Sequence, residues 1–437
     1  MKKIFKYLLF LAPSIILSQE KLSLEDALKI GLKQNFEIQL AKKNLEINKL
    51  NNNYANAGAL PSINISTRAE SAVSDQSKNP TSFIQEILKS ESLNATANLS
   101  WTLLNGYGIK ANKERLNQLE YLSNGNLTLT IENTTQAIIL SYYNCILQQE
   151  RLDLIQKVIN LSRERVLYQK TKYDIGVGNK MELLQFENTL LLDSSNLLLQ
   201  KQNLNKSIKN FNLVLGVDVN SKWILTDSME TKTQVFNYDN LLEKALENNT
   251  NIINQSINNE IIKQEISIAK SAYYPNISVN SGAAFNQSTY DVGNSGFTGN
   301  NTGETLNYYA NISINFRLYD GGKYRKLLQE SQIRKDINNI NLEKQKRSVA
   351  NKLSNNYEKY NNSIIIFNLN KKAFEISKIN YQLANDKVNR GIINSFDYRD
   401  IEIAYLNSGI SFLQSIYNLN ESYLELVKIT GGIIEIK

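Results

Sequence analysis

The apolar positions between about residue 109 and residue 173 form two seven-residue series. One series is Ile138, Cys145, Leu152, Ile159, Val166 and Tyr173, and the other, two positions further on, is Leu140, Leu147, Leu154, Leu161, Tyr168 and Ile175. At about 100° per residue, the offset places the series roughly 200° apart on one helix. The pattern predicts a helix of about 64 residues, roughly 96 Å long, with a coiled-coil neighbour on each flank.

A period of two replaces the period of seven in two shorter stretches. In Leu93–Leu103 the odd positions are apolar, and in Leu306–Leu318 the even positions are apolar, while the positions between them are mostly polar. Alternation over about 11 to 13 residues predicts strands as long as tilted membrane strands. Their expected hairpin partners are Ile63–Val73 and Ile277–Phe285. A half-buried sheet of a soluble domain would alternate equally well, but no other segment remains to cover a sheet face.

These elements occur twice, at an offset of 214 or 215 positions. The matching positions are Pro61 and Pro275, Gly176 and Gly391, Glu187 and Glu402, and Gly216 and Gly431. Each copy is expected to contain a helix that ends before proline, a hairpin, a long helix, a reversal at glycine and a return helix. The predicted organisation is a signal peptide at 1–18, a first repeat at 19–216, a linker at 217–237, a second repeat at 238–431 and a tail at 432–437.

The first 18 residues have the pattern of a secretory signal peptide. Lys2, Lys3 and Lys6 precede an apolar run of about 11 residues, which is shorter than the roughly 20 residues of a membrane span. Removal of these three lysines lowers the formal net charge from +7 to +4. So small a charge predicts no nucleic-acid partner.

The composition argues against catalysis. The sequence has no histidine, which excludes imidazole acid–base catalysis and histidine metal sites. Its single cysteine, Cys145, cannot form a disulfide within the chain and is expected to fill space in a helix seam. There is no phosphate-binding glycine loop and no cluster of cysteine ligands. We therefore predict no enzymatic activity, no cofactor and no metal site.

The predicted hairpins require more than one copy of the chain if they lie in a membrane. Four strands cannot close a barrel, because barrels need at least about eight strands and open edges are not tolerated in lipid. Two copies would give eight strands and three would give twelve. With helix axes about 10 Å apart, eight helical staves enclose a bore of about 15 Å and twelve enclose roughly 28 Å. Both remain open on this argument, although passage of cargo favours three.

Several segments together resemble the TolC-type outer-membrane efflux proteins. They are the turn at Phe316–Lys323, the helix start at Ser23–Leu28, the paired Pro61 and Pro275, and the glycine-centred reversals. The resemblance covers essentially the whole mature chain. It implies an α+β membrane protein: a homotrimer with a twelve-stranded β-barrel in the outer membrane, continued by an α-helical coiled-coil barrel in the periplasm. It further implies a tripartite efflux pump or type I secretion system, with a periplasmic adaptor (membrane fusion protein) and an inner-membrane transporter as partners.

The resemblance assigns adaptor docking to the two helix reversals. Residues 173–178 and 388–393 match the turns that contact the adaptor in the family. The docking tips implied are Ile175, Gly176, Val177, Gly391, Ile392 and Ile393. We expect their isoleucines and valine to form short exposed apolar patches at both turns.

The resemblance also assigns a periplasmic gate. Glu182 matches an acidic gate residue, and Asp397 and Asp400 match paired acids that form rings inside the closed end. Val388 and Ile393 replace the tyrosine and arginine of the family's latch, so Arg390 is the candidate for a different latch. From the residues alone, the two aspartates are equally consistent with a solvated helix face.

Two other classes of protein also contain long helical hairpins. A periplasmic adaptor would need a β-barrel domain rich in glycine and valine, and it has no repeat of whole hairpins. A secreted coiled-coil structural protein would not need two alternating hairpins. A transport conduit is therefore the favoured interpretation, and the sequence does not identify its cargo.

Overall fold

The structure is a computed structural model that describes residues 20–229, 231, 233–292 and 301–435. The predicted signal peptide lies outside the described residues. The helices are α1 Leu24–Gln34, α2 Phe36–Asn51, α3 Gly108–Asp174, α4 Lys180–Leu215, α5 Tyr238–Asn248, α6 Thr250–Ser271, α7 Lys323–Asn389 and α8 Ser395–Ile429. The strands are β1 Glu20–Leu22, β2 Ser62–Asp75, β3 Ile87–Asn105, β4 Trp223–Leu225, β5 Asn276–Val292 and β6 Asn301–Asn315, and a 3-10 helix spans Ile433–Glu435.

The chain forms two compact units. Unit 1 comprises the described residues of Met1–Leu40, Thr128–Asn249 and Ser348–Lys437, and unit 2 comprises those of Ala41–Leu127 and Thr250–Arg347. The helix predicted from about residue 109 to residue 173 is confirmed as α3, which has 67 residues, as does α7. In the described part of the chain, no helix combines the length and the apolar character needed to cross a membrane.

Unit 2 contains an antiparallel sheet in the strand order β2-β3-β5-β6. The two predicted hairpins, β2/β3 and β5/β6, are therefore confirmed, and β3 joins them by pairing with β5. Within the described residues, the edge strands β2 and β6 have no further strand partner. The sheet thus has two long open edges.

Two details of the strand prediction are wrong. The strand predicted to reach Leu318 ends at Asn315, whose partner Asn276 follows Pro275; proline has no N–H to continue the ladder. The alternation predicted through Leu103 is interrupted by a β-bulge, because Leu104 and not Leu103 is the partner of Ile277. The extra residue of a bulge stays outside the pairing register, so Leu104 continues the apolar face.

The register gives the sheet one apolar and one polar face, since residues directly opposite in an antiparallel ladder share a face. The apolar face includes Ile63, Ile65, Leu93, Leu99, Trp101, Leu104, Ile277, Val279, Phe285, Leu306, Tyr308, Ile312 and Ile314. The polar face includes Ser62, Asn64, Ser66, Asn94, Thr96, Asn98, Ser100, Ser278, Asn280, Asn307, Asn311 and Ser313. On β5 and β6 the apolar face extends over about nine residues, which matches a membrane-crossing strand.

In unit 1, both predicted seams of α3 enter the hydrophobic core. Ile138, Cys145 and Ile159 of the first series are buried, as are Leu147 and Leu154 of the second. Cys145 is a free thiol, and its burial raises its pKa to about 11, so it is protonated at neutral pH. These positions support the prediction that Cys145 acts as an apolar filler.

The segment predicted to link the two repeats is anchored to this core. Strand β4 pairs in parallel with β1, and Trp223 packs against the cluster that contains Ile138 and Phe211. The Trp223 indole N–H donates to Asn212 Oδ1 over 2.7 Å. The Tyr142 hydroxyl donates to the carboxylate of Asp227, also over 2.7 Å.

Aromatic rings fill the seam between α7 and α8. They recur every seven residues, as Tyr360, Phe367, Phe374 and Tyr381 on α7 and as Tyr398, Tyr405 and Phe412 on α8. The Tyr381 and Tyr405 rings stack with centroids 4.7 Å apart, and Phe374 and Phe412 stack at 5.6 Å. Gly409 makes room for them, because a Cβ there would lie 2.9 Å from the Phe374 ring. The seven-residue period of α7 thus forms a packed aromatic seam with α8.

Candidate functional site at the helix reversals

The helices α3 and α7 end in the same glycine turn. Gly176 and Gly391 have φ of +81° and +73°, a backbone conformation that glycine adopts without strain. A Cβ at either position would meet no atom within 4 Å, so these glycines are required by backbone conformation and not by space. Both glycines therefore act at least as left-handed helix terminators.

The hydrogen bonds of both turns follow the Schellman pattern. After α3, the Val177 N–H donates to the Lys172 carbonyl over 3.0 Å while the Gly176 N–H donates to the carbonyl of Tyr173 over 3.0 Å. After α7, the Ile392 N–H donates to the Lys387 carbonyl over 2.9 Å, and the Gly391 N–H donates to the Val388 carbonyl over 3.0 Å. The last carbonyls of each long helix are thereby satisfied within the turn.

An asparagine starts each return helix. The side chain of Asn179 accepts from the N–H of Met181 over 2.9 Å. The side chain of Asn394 accepts from the N–H groups of Phe396 and Asp397 over 2.9 and 2.8 Å. Such caps satisfy the first free N–H groups of a helix, so each reversal is complete within a few residues.

The apolar side chains at the two turns differ in exposure. Ile175 is 68% exposed, Val177 72% and Ile392 63%. Ile393 is half-buried, because it packs against a cluster that includes Val388 and Tyr398. The expectation of an exposed patch is therefore wrong for Ile393, whose side chain supports the second turn from inside.

The candidate gate residues lie close to these turns. Asp397 and Asp400 are exposed and stand three positions apart on α8, so they share one face of the helix. The Asp397 carboxylate accepts from Nδ2 of Asn394 over 2.9 Å. Arg390 is exposed and Glu182 is half-buried. Within the described part of the chain, neither Arg390 nor Glu182 nor the two aspartates form an ion pair.

A buried group of charges joins α3, α4 and α8 near the reversals. Arg399 holds Asp193 through two hydrogen bonds of 2.7 and 2.9 Å and also donates to Glu402 over 2.7 Å. Arg165 lies 3.8 Å from the second oxygen of Glu402 and donates to Asn385 over 2.6 Å. We call Arg165, Asp193, Arg399 and Glu402 the buried charge cluster; its formal charges cancel.

Burial dominates the electrostatics of this cluster. Glu402 is 1% exposed, and burial raises the pKa of its carboxyl above the ordinary value, against the opposing effect of Arg399 and Arg165. Burial lowers the pKa of Arg399, but hydrogen bonds and charges from Asp193 and Glu402 outweigh it, so that pKa is raised. The Arg165 guanidinium stacks 3.7 Å from the ring centre of Tyr398.

Comparison with known proteins relates residues 241–432 to a protein family. The family model described as outer membrane efflux protein matches residues 241–432. In this part the chain is similar to the outer membrane efflux protein family. The match confirms the predicted resemblance to TolC-type efflux proteins over these residues, and it agrees with the prediction that the chain is not an enzyme. A sequence comparison with curated proteins gives no match.

Solved structures share the fold of nearly the whole chain. The outer membrane channel CmeC of Campylobacter jejuni has a TM-score of 0.75 at 14% identity, covering 94% of this chain and 85% of that chain. MtrE of Neisseria gonorrhoeae has a TM-score of 0.69 at 15% identity, and the match covers 94% of this chain and 89% of that chain. VceC of Vibrio cholerae has a TM-score of 0.68 at 14% identity, and the match covers 94% of this chain and 96% of that chain. At such identities the likeness shows the fold, and it confirms the predicted α+β architecture at that level.

The sequence pattern predicted the two helix reversals but not the buried charge cluster. The sequence does contain a sign of this cluster. Each of its three most buried members lies seven residues from another buried residue of the same helix. Arg165 follows the buried Val158 by seven residues, Asp193 follows Phe186, and Glu402 precedes Gly409. Charged residues at such positions need partners when they are buried, and a pattern defined by apolar residues alone does not include them.

Proposed function

We propose that the chain is the outer-membrane channel of a tripartite efflux pump or type I secretion system, which conducts substrates across the periplasm and the outer membrane. The observation that carries the proposal is the sheet, which combines an apolar face with two open edges of 14 and 15 residues. Such edges are not tolerated in lipid unless they pair. Because strand direction alternates across the sheet, β6 of one copy continues the antiparallel ladder into β2 of the next.

The exposed flanks of two helices support assembly from identical copies. Leu184, Leu191 and Leu198 recur every seven residues on α4 and are 51, 72 and 67% exposed. Leu369, Ile376 and Leu383 on α7 are 62, 68 and 55% exposed, with the same spacing. Seven-residue spacing is the period of coiled-coil packing, so a helix of a neighbouring copy can cover each row. In a homotrimer, twelve strands close the sheet into a barrel and twelve helical staves close the helices into a tube.

The repeated elements support two structural repeats, at 19–216 and 238–431, separated by a linker at 217–237 and followed by a tail at 432–437. The first two helices of each repeat meet at an asparagine whose side chain holds the end of the return helix. Asn35 Nδ2 donates to the Val214 carbonyl over 2.8 Å, and Asn249 Nδ2 donates to the carbonyl of Ile429 over 3.0 Å. Gly216 and Gly431 end the two return helices with φ of +78° and +79°.

The helix reversals are the proposed docking site for the helical hairpin of a periplasmic adaptor, which links the channel to an inner-membrane transporter. Ile175, Val177 and Ile392 present the apolar surface, while Gly176 and Gly391 set the turns. Ile393 holds the second turn in place. This assignment follows from the family's architecture and is supported by the exposure of these three side chains.

The proposed gate consists of Asp397 and Asp400, with Glu182 and Arg390 beside them. In a trimer each aspartate forms a ring of three carboxylates, and such rings attract cations. The exposure of both side chains and their lack of a cationic partner in the described chain leave their charge available to the bore.

Outer-membrane fractionation tests the proposed function against its alternatives. We expect the protein to remain in the outer-membrane pellet after a urea wash, as an integral barrel would. A periplasmic adaptor or a coiled-coil structural protein held by surface contacts would be extracted. Complementation of a deletion strain then tests transport: restored efflux or secretion supports the proposal, and urea extraction of the folded protein would overturn it.

A further inference from the structure

The polar face of the four-stranded sheet carries almost no charge. Among the described residues of its strands, only Arg68 and Glu70 on this face are charged, and their charged groups lie 3.3 Å apart. Its other positions are asparagine, serine, threonine, tyrosine, glycine, alanine, and the apolar Leu88 and Val292 near the strand ends. Asparagine dominates the central part.

The strands do contain other charges, but these lie on the opposite face. Beyond the apolar band, that face carries Asp75, Lys89, Glu91, Asp291 and Glu304. The neutrality of the polar face is therefore a property of one face and not of the whole hairpins.

The side chains of the polar face bond to one another across the strands. Ser66 and Thr96 hydroxyls lie 2.7 Å apart, and Asn280 Nδ2 is 3.4 Å from Oδ1 of Asn311. The Tyr309 hydroxyl donates to Asn98 Oδ1 over 2.5 Å, although a strand lies between them.

A glycine permits this longer reach. At Gly282, on the intervening strand β5, a Cβ would stand 2.9 Å from the Tyr309 hydroxyl and 2.4 Å from the Ala97 carbonyl oxygen. The absence of a side chain lets the tyrosine ring cross β5. Dipoles that are held by mutual hydrogen bonds present a fixed but neutral surface to water.

We infer that this face is a neutral, hydrogen-bonding lining of the channel, which admits cationic, anionic and uncharged polar cargo equally and leaves charge selection to groups outside the sheet. The inference rests on the proposed function, because only a closed multimer turns this face into the wall of a water-filled bore. Rings of like charge are what make a bore ion-selective. Here the two opposite charges of Arg68 and Glu70 lie much closer together than the screening length of salt, which is about 10 Å at 0.1 M. Their fields therefore cancel in the water of the bore.

Charged thiol reagents measure the potential at this face directly. The one native cysteine, Cys145, is buried, so an introduced cysteine supplies the signal. In Asn311→Cys, we expect a cationic and an anionic methanethiosulfonate to react with a rate ratio within about twofold of their ratio on a free thiol, as expected where no net charge attracts either reagent. A second reporter, Asn94→Cys, lies directly opposite Arg68 on the same face. In that background Arg68→Gln should favour the cationic reagent, Glu70→Gln the anionic one, and the variant with both changes should restore the ratio of Asn94→Cys alone.

The neighbouring residue provides the matched control. Ile312 lies on the apolar face, so Ile312→Cys in the outer membrane should react with neither reagent. A strong preference of Asn311→Cys for one charge, no reaction at that position, or equal ratios in all three charge variants would overturn the neutral lining. Rapid labelling of Ile312→Cys would instead show that the apolar face is in water, which overturns the proposed function and with it the inference.

Discussion

At the scale of single residues, the buried charge cluster has the largest energetic consequence. Removing one partner of a buried ion pair leaves an uncompensated charge and costs about 3–5 kcal/mol. We expect Asp193→Ala, which leaves Arg399 without its two-bond partner, to lower the thermal unfolding midpoint strongly. Glu25→Ala is the control, because its partner Lys29 lies 2.6 Å away but both side chains are exposed. Equal midpoints for the two variants would show that the cluster contributes nothing.

Glu402 should make stability depend on pH. Its folded-state pKa is raised above the ordinary 4.5, so the folded state keeps this proton to higher pH than the unfolded chain does. The stabilisation of the folded state by this raised pKa is full below about pH 4.5 and is lost as pH rises through the folded-state pKa. Relative to the parent, Glu402→Gln should therefore gain stability as pH rises. Parallel curves of unfolding midpoint against pH for both proteins would contradict the raised pKa.

The two reversal glycines give a functional prediction. A valine at Gly176 and Gly391 must adopt positive φ, which β-branched residues resist, so both turns should distort. Gly176→Val/Gly391→Val should abolish efflux or secretion without changing membrane insertion or assembly. Gly303→Val is the control, since a Cβ there meets no atom within 4 Å and the backbone is not in the positive-φ region. Normal transport by the double variant would refute the docking role.

At the scale of elements, the two faces of β3 should respond differently to the same charge. Leu99 lies on the apolar face and Ser100 on the polar face. An arginine facing the lipid midplane costs about 2–4 kcal/mol per copy. We expect Leu99→Arg to reduce the yield of assembled protein in the outer membrane, and Ser100→Arg to assemble as the parent does. Equal yields would contradict the assignment of the faces.

The elements also show where sequence patterns stop being informative. Seven-residue and two-residue periods predicted α3 and both hairpins, because side-chain burial repeats with the backbone geometry. The bulge at Leu103 was not predicted, because Leu103 and Leu104 are both apolar and the alternation does not show which of them stays in register. The strand end at Asn315 depended on Pro275 in the partner strand, which the period of β6 does not contain.

At the candidate site, the sequence predicted the helix reversals but not the contacts between helices. Glycine followed by a helix cap marks each reversal in the sequence, and the structure places Gly176 and Gly391 in Schellman turns. The half-burial of Ile393 depends on packing between α7 and α8, which local sequence does not specify. The partner of Arg399 is Asp193, more than 200 positions away, so only the fold brings them together.

At the scale of the whole molecule, one chain leaves much of its apolar surface and hydrogen-bonding capacity unused. The edges of β2 and β6 are open, and rows of leucine and isoleucine on α4 and α7 remain exposed. Identical copies arranged around an axis can satisfy both, because each open edge and each row then meets its complement on the neighbouring copy. The proposed channel exists only in that assembly.

Native mass spectrometry of the protein extracted from the outer membrane in detergent tests this claim most directly. We predict a single species that contains three chains and dissociates only under conditions that also unfold the sheet. Two chains per particle would contradict the twelve-stranded barrel. A monodisperse, folded monomer would contradict the closed channel itself.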